Sequence, residues 1–155
     1  MIADLALNLV QSQFGDYQID LALNSSENDL ASEEGLRTAV LISLLSDARV
    51  EYDDDPNFSG ERRGFWLEMI TGEVWGSKLW ILQREKQSES TRIRAEEYAE
   101  SALQWLIDDS IASAVSVTAS YTAVGILHLA VSILRPKRDN LELEFDYVWR
   151  AEENR

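Results

Sequence analysis

The sequence predicts an α+β fold, and three patterns carry that prediction. Apolar and polar residues alternate in two runs within residues 4–24. Apolar residues then recur at steps of three and four over 33–47 and again over 89–108. Alternation returns in three runs across 115–149. A period of two places side chains on opposite faces of a strand, and a period near 3.6 gathers them on one face of a helix. Strand pairs at both ends with helices between them, joined by short connections, make an α+β arrangement.

The pentapeptide DLALN occurs twice, at Asp4–Asn8 and Asp20–Asn24. Leu5, Leu7 and Leu9 share one face of the first run, and Tyr17, Ile19, Leu21 and Leu23 share one face of the second. Gly15-Asp16 between them is a turn signal, so an N-terminal β-hairpin is expected. The polar loop NSSENDLAS follows. Ser32 then suits an N-cap, with Glu33 and Glu34 in the first turn complementing the helix dipole. In helix 33–47, Leu36, Ala39, Val40, Ser43 and Leu44 form a stripe that Leu41, Ile42 and Leu45 widen, which predicts a mostly buried helix.

RVEYDDDPNFSGE reads as a short extended piece and a loop. A second helix is expected near 76–84. Ser88 should cap a long amphipathic helix over 89–108, with Ala95, Tyr98, Ala99, Ala102, Trp105 and Leu106 inward and Arg92, Arg94, Glu96, Glu97 and Glu100 outward. Arg92 and Glu96 stand four residues apart, the spacing of a helical ion pair.

The last third alternates in three runs. Val115, Val117, Ala119 and Tyr121 form the first, and Leu127, Leu129, Val131 and Ile133 the second. Leu141, Leu143, Phe145, Tyr147 and Trp149 form the third. The connections TAVG and PKRDN are short, which predicts a C-terminal three-stranded antiparallel meander. The opposite face is neutral and small on the first two strands and acidic on the last. At 155 residues the chain is expected to be one domain over 1–150, with 151–155 a frayed tail.

Composition limits the partners. The net charge is −14, which disfavours nucleic acid and anionic membrane surfaces. The N-terminus lacks the basic flank and apolar run of a signal peptide, and no apolar run reaches the ~18 residues of a membrane span. There is no cysteine, so disulfides and thiolate metal sites are excluded. The charge is uneven: residues 1–61 carry 13 acids and 2 bases, 62–94 carry 4 acids and 7 bases, and 95–155 carry 11 acids and 5 bases. The basic island overlaps GERRGFWLEMITGEVWGSKLWILQREK at 60–86, which holds three of the five tryptophans and four of the seven glycines. Tryptophan and arginine are enriched at interface hot spots. Arg62, Arg63, Trp66, Arg84 and Lys86 are therefore the candidate protein-interaction residues, while Trp80, among Leu79, Ile81 and Leu82, reads as core.

Chemistry finds little support. His128 is the single histidine and has no second ligand or triad partner nearby in sequence. Asp53-Asp54-Asp55 lacks the alternating ligands, glycine and glutamate of a calcium loop. Asp108-Asp109 is the best adjacent carboxylate pair, but neighbouring helix residues diverge. No catalytic, cofactor or metal site is assigned, and the chain is read as a non-enzyme.

Five segments together resemble the Mu-type phage tail protein family, a group regarded as baseplate wedge components of contractile tails. They are GLRTAVLISLLSDAR (35–49), RRGFW (62–66), GSKLWILQREK (76–86), AEEYAESALQWLIDD (95–109) and FDYVW (145–149). The resemblance spans about residues 15 to 150, and the segments are specific in their order rather than singly. The wider T4-type relatives, once labelled tail lysozymes, carry Glu-Pro-Arg after the long helix. Here that place reads Trp105-Leu106-Ile107-Asp108-Asp109-Ser110, so no role of that motif transfers. The resemblance implies a structural adaptor joining other wedge subunits near the sheath and hub, without cofactor, nucleic acid or membrane. It implies a place in the virion tail baseplate after assembly in the host cytoplasm. A glycan-cleaving tail enzyme and a regulatory protein-binding module are the alternatives.

Overall fold

The computed structural model describes residues 4–11, 17–24, 33–51, 60, 62–64, 72, 74–83, 85–136 and 138–148. It forms two compact units, 1–42 and 43–155. In the first unit, strands β1 (Asp4–Gln11) and β2 (Tyr17–Asn24) pair antiparallel as the expected hairpin. The two DLALN copies meet in reverse, Asp4 opposite Asn24, Leu7 opposite Leu21 and Asn8 opposite Asp20. Helix α1 (Glu33–Leu45) follows, and the division between units falls within it. Leu36, Val40, Leu41 and Leu44 are buried as expected, whereas Ile42 and Leu45 reach solvent. Both lie on the far side of the helix from the stripe, so its apolar face is narrower than composition suggests. Ser32 lies outside the described residues.

The second unit holds a helical layer and the meander. The expected helix near 76–84 is a single turn, α2 (Leu79–Leu82), all four residues buried. It cannot begin at Gly76, because residues 76–78 are committed to the chain at 46–48. Ser77 donates its N–H to the Ser46 carbonyl at 2.8 Å, and its own carbonyl accepts from the Ala48 N–H at 3.0 Å. Its Oγ also donates to the Leu44 carbonyl at 2.6 Å.

Helix α3 (Glu89–Ala102) starts where expected, with Ser88 Oγ accepting from the Thr91 N–H at 3.2 Å. It stops short of 108. The N–H groups of Leu103 and Gln104 bond three residues back, to Glu100 and Ser101, and a short α4 (Trp105–Asp108) resumes the path. Tightening to three-residue bonds rotates the chain, and Leu103 and Leu106 are both fully buried. No glycine or proline marks this break, so the periodicity alone could not locate it.

Strands β3 (Ala114–Ala123), β4 (Ile126–Leu134) and β5 (Leu141–Val148) form the expected antiparallel meander in the order β3-β4-β5. Gly125 takes φ +81 in the tight β3–β4 turn, a conformation that favours glycine. Val117, Ala119, Leu127, Leu129, Val131, Ile133, Leu141 and Leu143 are buried. Ala95 and Ala99 of α3 are fully buried too, and their small side chains let the helix approach β3. The observed elements make the protein α+β.

Candidate docking surface

The local structure around Arg63 begins with its backbone. Arg63 sits at φ +43 and Gly64 at φ +120. A non-glycine residue in that region is strained. Beside this turn, the Val50 N–H donates to the Arg62 carbonyl at 3.0 Å. The Arg63 guanidinium lies 4.5 Å from the centre of the Trp80 ring and donates through Nη1 to Asp47 Oδ2 at 2.8 Å. Trp80 is 4% exposed and donates its indole N–H to the Ala48 carbonyl at 2.9 Å. Val50, Trp80 and Ile81 form one buried cluster against which Tyr98 packs. Trp80 is thus core, as expected.

Tyr147 of β5 belongs to the same neighbourhood. Burial pushes its phenol above the ordinary value. The Gln83 amide, donating to its oxygen at 2.6 Å, acts the other way. Asp47 adds to the rise and Arg63 opposes it.

The five candidate interaction residues therefore fall in different settings. Arg62 is exposed and 3.4 Å from Glu51, also exposed. Arg63 is exposed as well, with its guanidinium lying against Asp47 and the Trp80 ring. Lys86 is exposed on the connection into α3, where its carbonyl accepts from the Thr91 hydroxyl at 3.0 Å. Trp66 and Arg84 lie outside the described residues. The contact of Arg63 with Trp80 was not legible in sequence, because it depends on a positive φ at a charged residue.

A groove of about 500 Å³ runs between 74–78 and the α3–α4 break. Val74, Tyr98, Ala102 and Trp105 supply apolar walls, and Lys78, Glu97 and Asp108 its charges. One wall is rigid: Gly76 takes φ +94, and a Cβ there would stand 2.4 Å from the Ser46 carbonyl oxygen. Trp105 is held by its indole N–H donating to Ser43 Oγ at 3.1 Å. Asp108 accepts from Gln104 at 3.1 Å. Sequence periodicity placed Trp105 on the inner stripe, but the groove depends on the unannounced break before it.

The free edge of β3 is occupied by side chains of α3. Glu96 Oε1 accepts from the Ala119 N–H at 2.9 Å, and Glu100 Oε1 accepts from the Val117 N–H at 3.0 Å. Arg92 donates to the Ala119 carbonyl at 3.1 Å while pairing with Glu89 and Glu96. The expected Arg92–Glu96 pair is present and does more than pair. Both residues satisfy backbone groups that an edge strand otherwise leaves open.

His128 stands on the other face of the sheet, its Nδ1 2.8 Å from Asp146 Oδ1. Among the described residues no group of three potential ligands could hold a metal ion. Asp53, Asp54 and Asp55 lie outside those residues.

Comparison with known proteins adds an independent line. The family described as phage protein GP46 matches residues 36–140, a span that includes the basic, tryptophan-rich segment, α3 and most of the meander. The chain is 37% identical over 118 residues to the baseplate protein gp46 of Escherichia phage Mu, covering 76% of this chain and 81% of that protein. It is 37% identical over 131 residues to the Mu-like prophage FluMu protein gp46 of Haemophilus influenzae, covering 84% of this chain and 89% of that protein.

Proposed function

The chain belongs to the phage protein GP46 family, and from that membership we propose that it is a structural, non-enzymatic subunit of a contractile-tail baseplate. The observation that carries the reading is 37% identity to the Mu baseplate protein across 81% of its length. In finer terms, the chain acts as an adaptor that joins wedge subunits near the sheath and hub. It takes its place in the virion tail after assembly in the host cytoplasm.

The geometry supports this reading over a glycan-cleaving one. Glu97 and Asp108 line the groove, but both are exposed. A glycosidase sets two carboxyl groups across one enclosed cleft, and neither of these is enclosed. The docking segment proposed here contains Arg62, Trp66, Arg84 and Lys86. Arg63, exposed beside Arg62, also fixes this turn through Asp47 and Trp80.

Composition analysis of purified tails from a phage or prophage carrying this gene tests the reading. The chain should be recovered with the baseplate in a fixed ratio to its other proteins, and the purified chain should leave peptidoglycan intact. Tails that contain none of it, or a purified chain that releases sugar fragments, would defeat the proposal.

A further inference from the structure

We propose that the outer face of the β3-β4-β5 sheet is a seat for a basic, amphipathic helix of a partner protein. Strand register sets the rows across this face. Ser116, Ser132 and Glu142 form one row; Thr118, Ala130 and Glu144 the next; Ser120, His128 and Asp146 the third. Leu134 closes one end beside Ala114, and Ile126 and Val148 close the other. Ser116, Thr118, Ser120, Glu142, Glu144 and Asp146 are all exposed. The opposite face is the buried one, so the described residues of the second unit leave this side of the sheet open.

Charge selects the occupant. Glu142 accepts from the Ser132 hydroxyl at 2.7 Å, Asp146 pairs with His128, and Glu144 stands between them opposite Ala130. Among the described residues no lysine or arginine pairs with any of the three carboxylates. A column of three acids beside a floor of hydroxyls and alanine repels a second copy of itself and accepts a cationic flank.

Shape selects a helix. Three strands span two gaps of ~4.8 Å, so the face is ~10 Å wide, close to the diameter of one helix. Ala130 and Ser132 on the middle strand let that helix approach closely between His128 and Leu134. Leu134 is 46% exposed and Val148 49% exposed, which leaves apolar ground at each end. Ile126 and Leu134 are eight residues apart on one strand, ~27 Å, the length of ~18 helical residues. The occupant thus carries apolar residues at both ends of about five turns and lysine or arginine along one side.

The inference rests on the reading of the chain as an assembly subunit, and its test separates the two. The probes are two labelled helical peptides of ~18 residues with the same leucine pattern, one with lysine and one with glutamate at the polar positions. Fluorescence anisotropy with the full chain should show binding of the lysine peptide only. Glu142→Lys/Glu144→Lys should weaken it roughly tenfold. Ala130→Gln, which adds bulk without charge, should weaken it about fivefold. Glu89→Lys/Asp109→Lys makes the same charge change on the helical layer, at exposed residues outside the groove, and should change it less than about twofold. Melting curves confirm that each variant is folded. The proposal is overturned if neither peptide binds, if both bind alike, if the two charge variants weaken binding equally, or if Ala130→Gln binds like wild type. Should it fall while tails still incorporate the chain, the baseplate reading stands.

Discussion

Arg63 and Trp80 show how single residues in the basic segment divide their roles. Arg63 accepts a strained backbone, and in return its guanidinium covers an indole and meets a carboxylate. A cation–π contact contributes ~0.5–2 kcal/mol and a partly exposed ion pair ~0–1 kcal/mol. Arg63→Ala should therefore lower stability by ~1–2 kcal/mol, and Arg62→Ala by less than ~0.5 kcal/mol. Trp80→Ala should cost ~3–5 kcal/mol, because it empties a buried site and strands the Ala48 carbonyl. Urea titrations of the three variants would check this order, and equal losses for Arg62 and Arg63 would refute a stabilising role for the Arg63–Trp80 contact. Tyr147 gives a pH prediction. Its buried phenol holds its proton to a higher pH than the unfolded chain, whose value is 10.0. The unfolded state then loses protons first, so this stabilisation is complete below pH 10 and fades as pH rises through the folded value. Tyr147→Phe should flatten the alkaline fall in melting temperature; an unchanged slope would show that other groups cause it.

Among the elements, α3 and β3 form a unit held partly by side chains that act as a substitute strand. Glu96 and Glu100 each satisfy a backbone N–H that β4 cannot reach. Glu96→Ala/Glu100→Ala should cost ~1–3 kcal/mol for each amide left poorly satisfied, less where water enters. Hydrogen exchange should speed up at Val117 and Ala119 while the β4 amides stay protected. If the rates at Val117 and Ala119 do not change, these carboxylates are not what protects the edge. The elements themselves were largely legible from period: α1 began at its acidic turn, Ser88 capped α3, and every strand of the meander fell where alternation placed it. Two things were not. The break at Leu103-Gln104 carries no glycine or proline, so no residue type marks it. The shortening of α2 follows from bonds between Ser77 and a segment some thirty residues earlier, which no local window contains. Glu96 and Glu100 read as an outward, solvated face because a helical wheel cannot say that an edge strand lies beside it.

For the whole molecule, the net charge of −14 and the basic, tryptophan-rich segment are what the proposed docking role starts from. The family was legible because five segments keep their order and spacing, and the aligned relatives give the same family independently. The candidate surfaces were less legible, since the groove and the outer sheet face arise from register and a helix break. The proposed role is that of a structural part of a baseplate. Electron microscopy tests it on particles from a phage or prophage whose gene for this chain carries an early stop codon. Such particles should lack complete baseplates, which return when the wild-type chain is supplied in trans. Normal contractile tails bearing intact baseplates in the absence of the chain would contradict it.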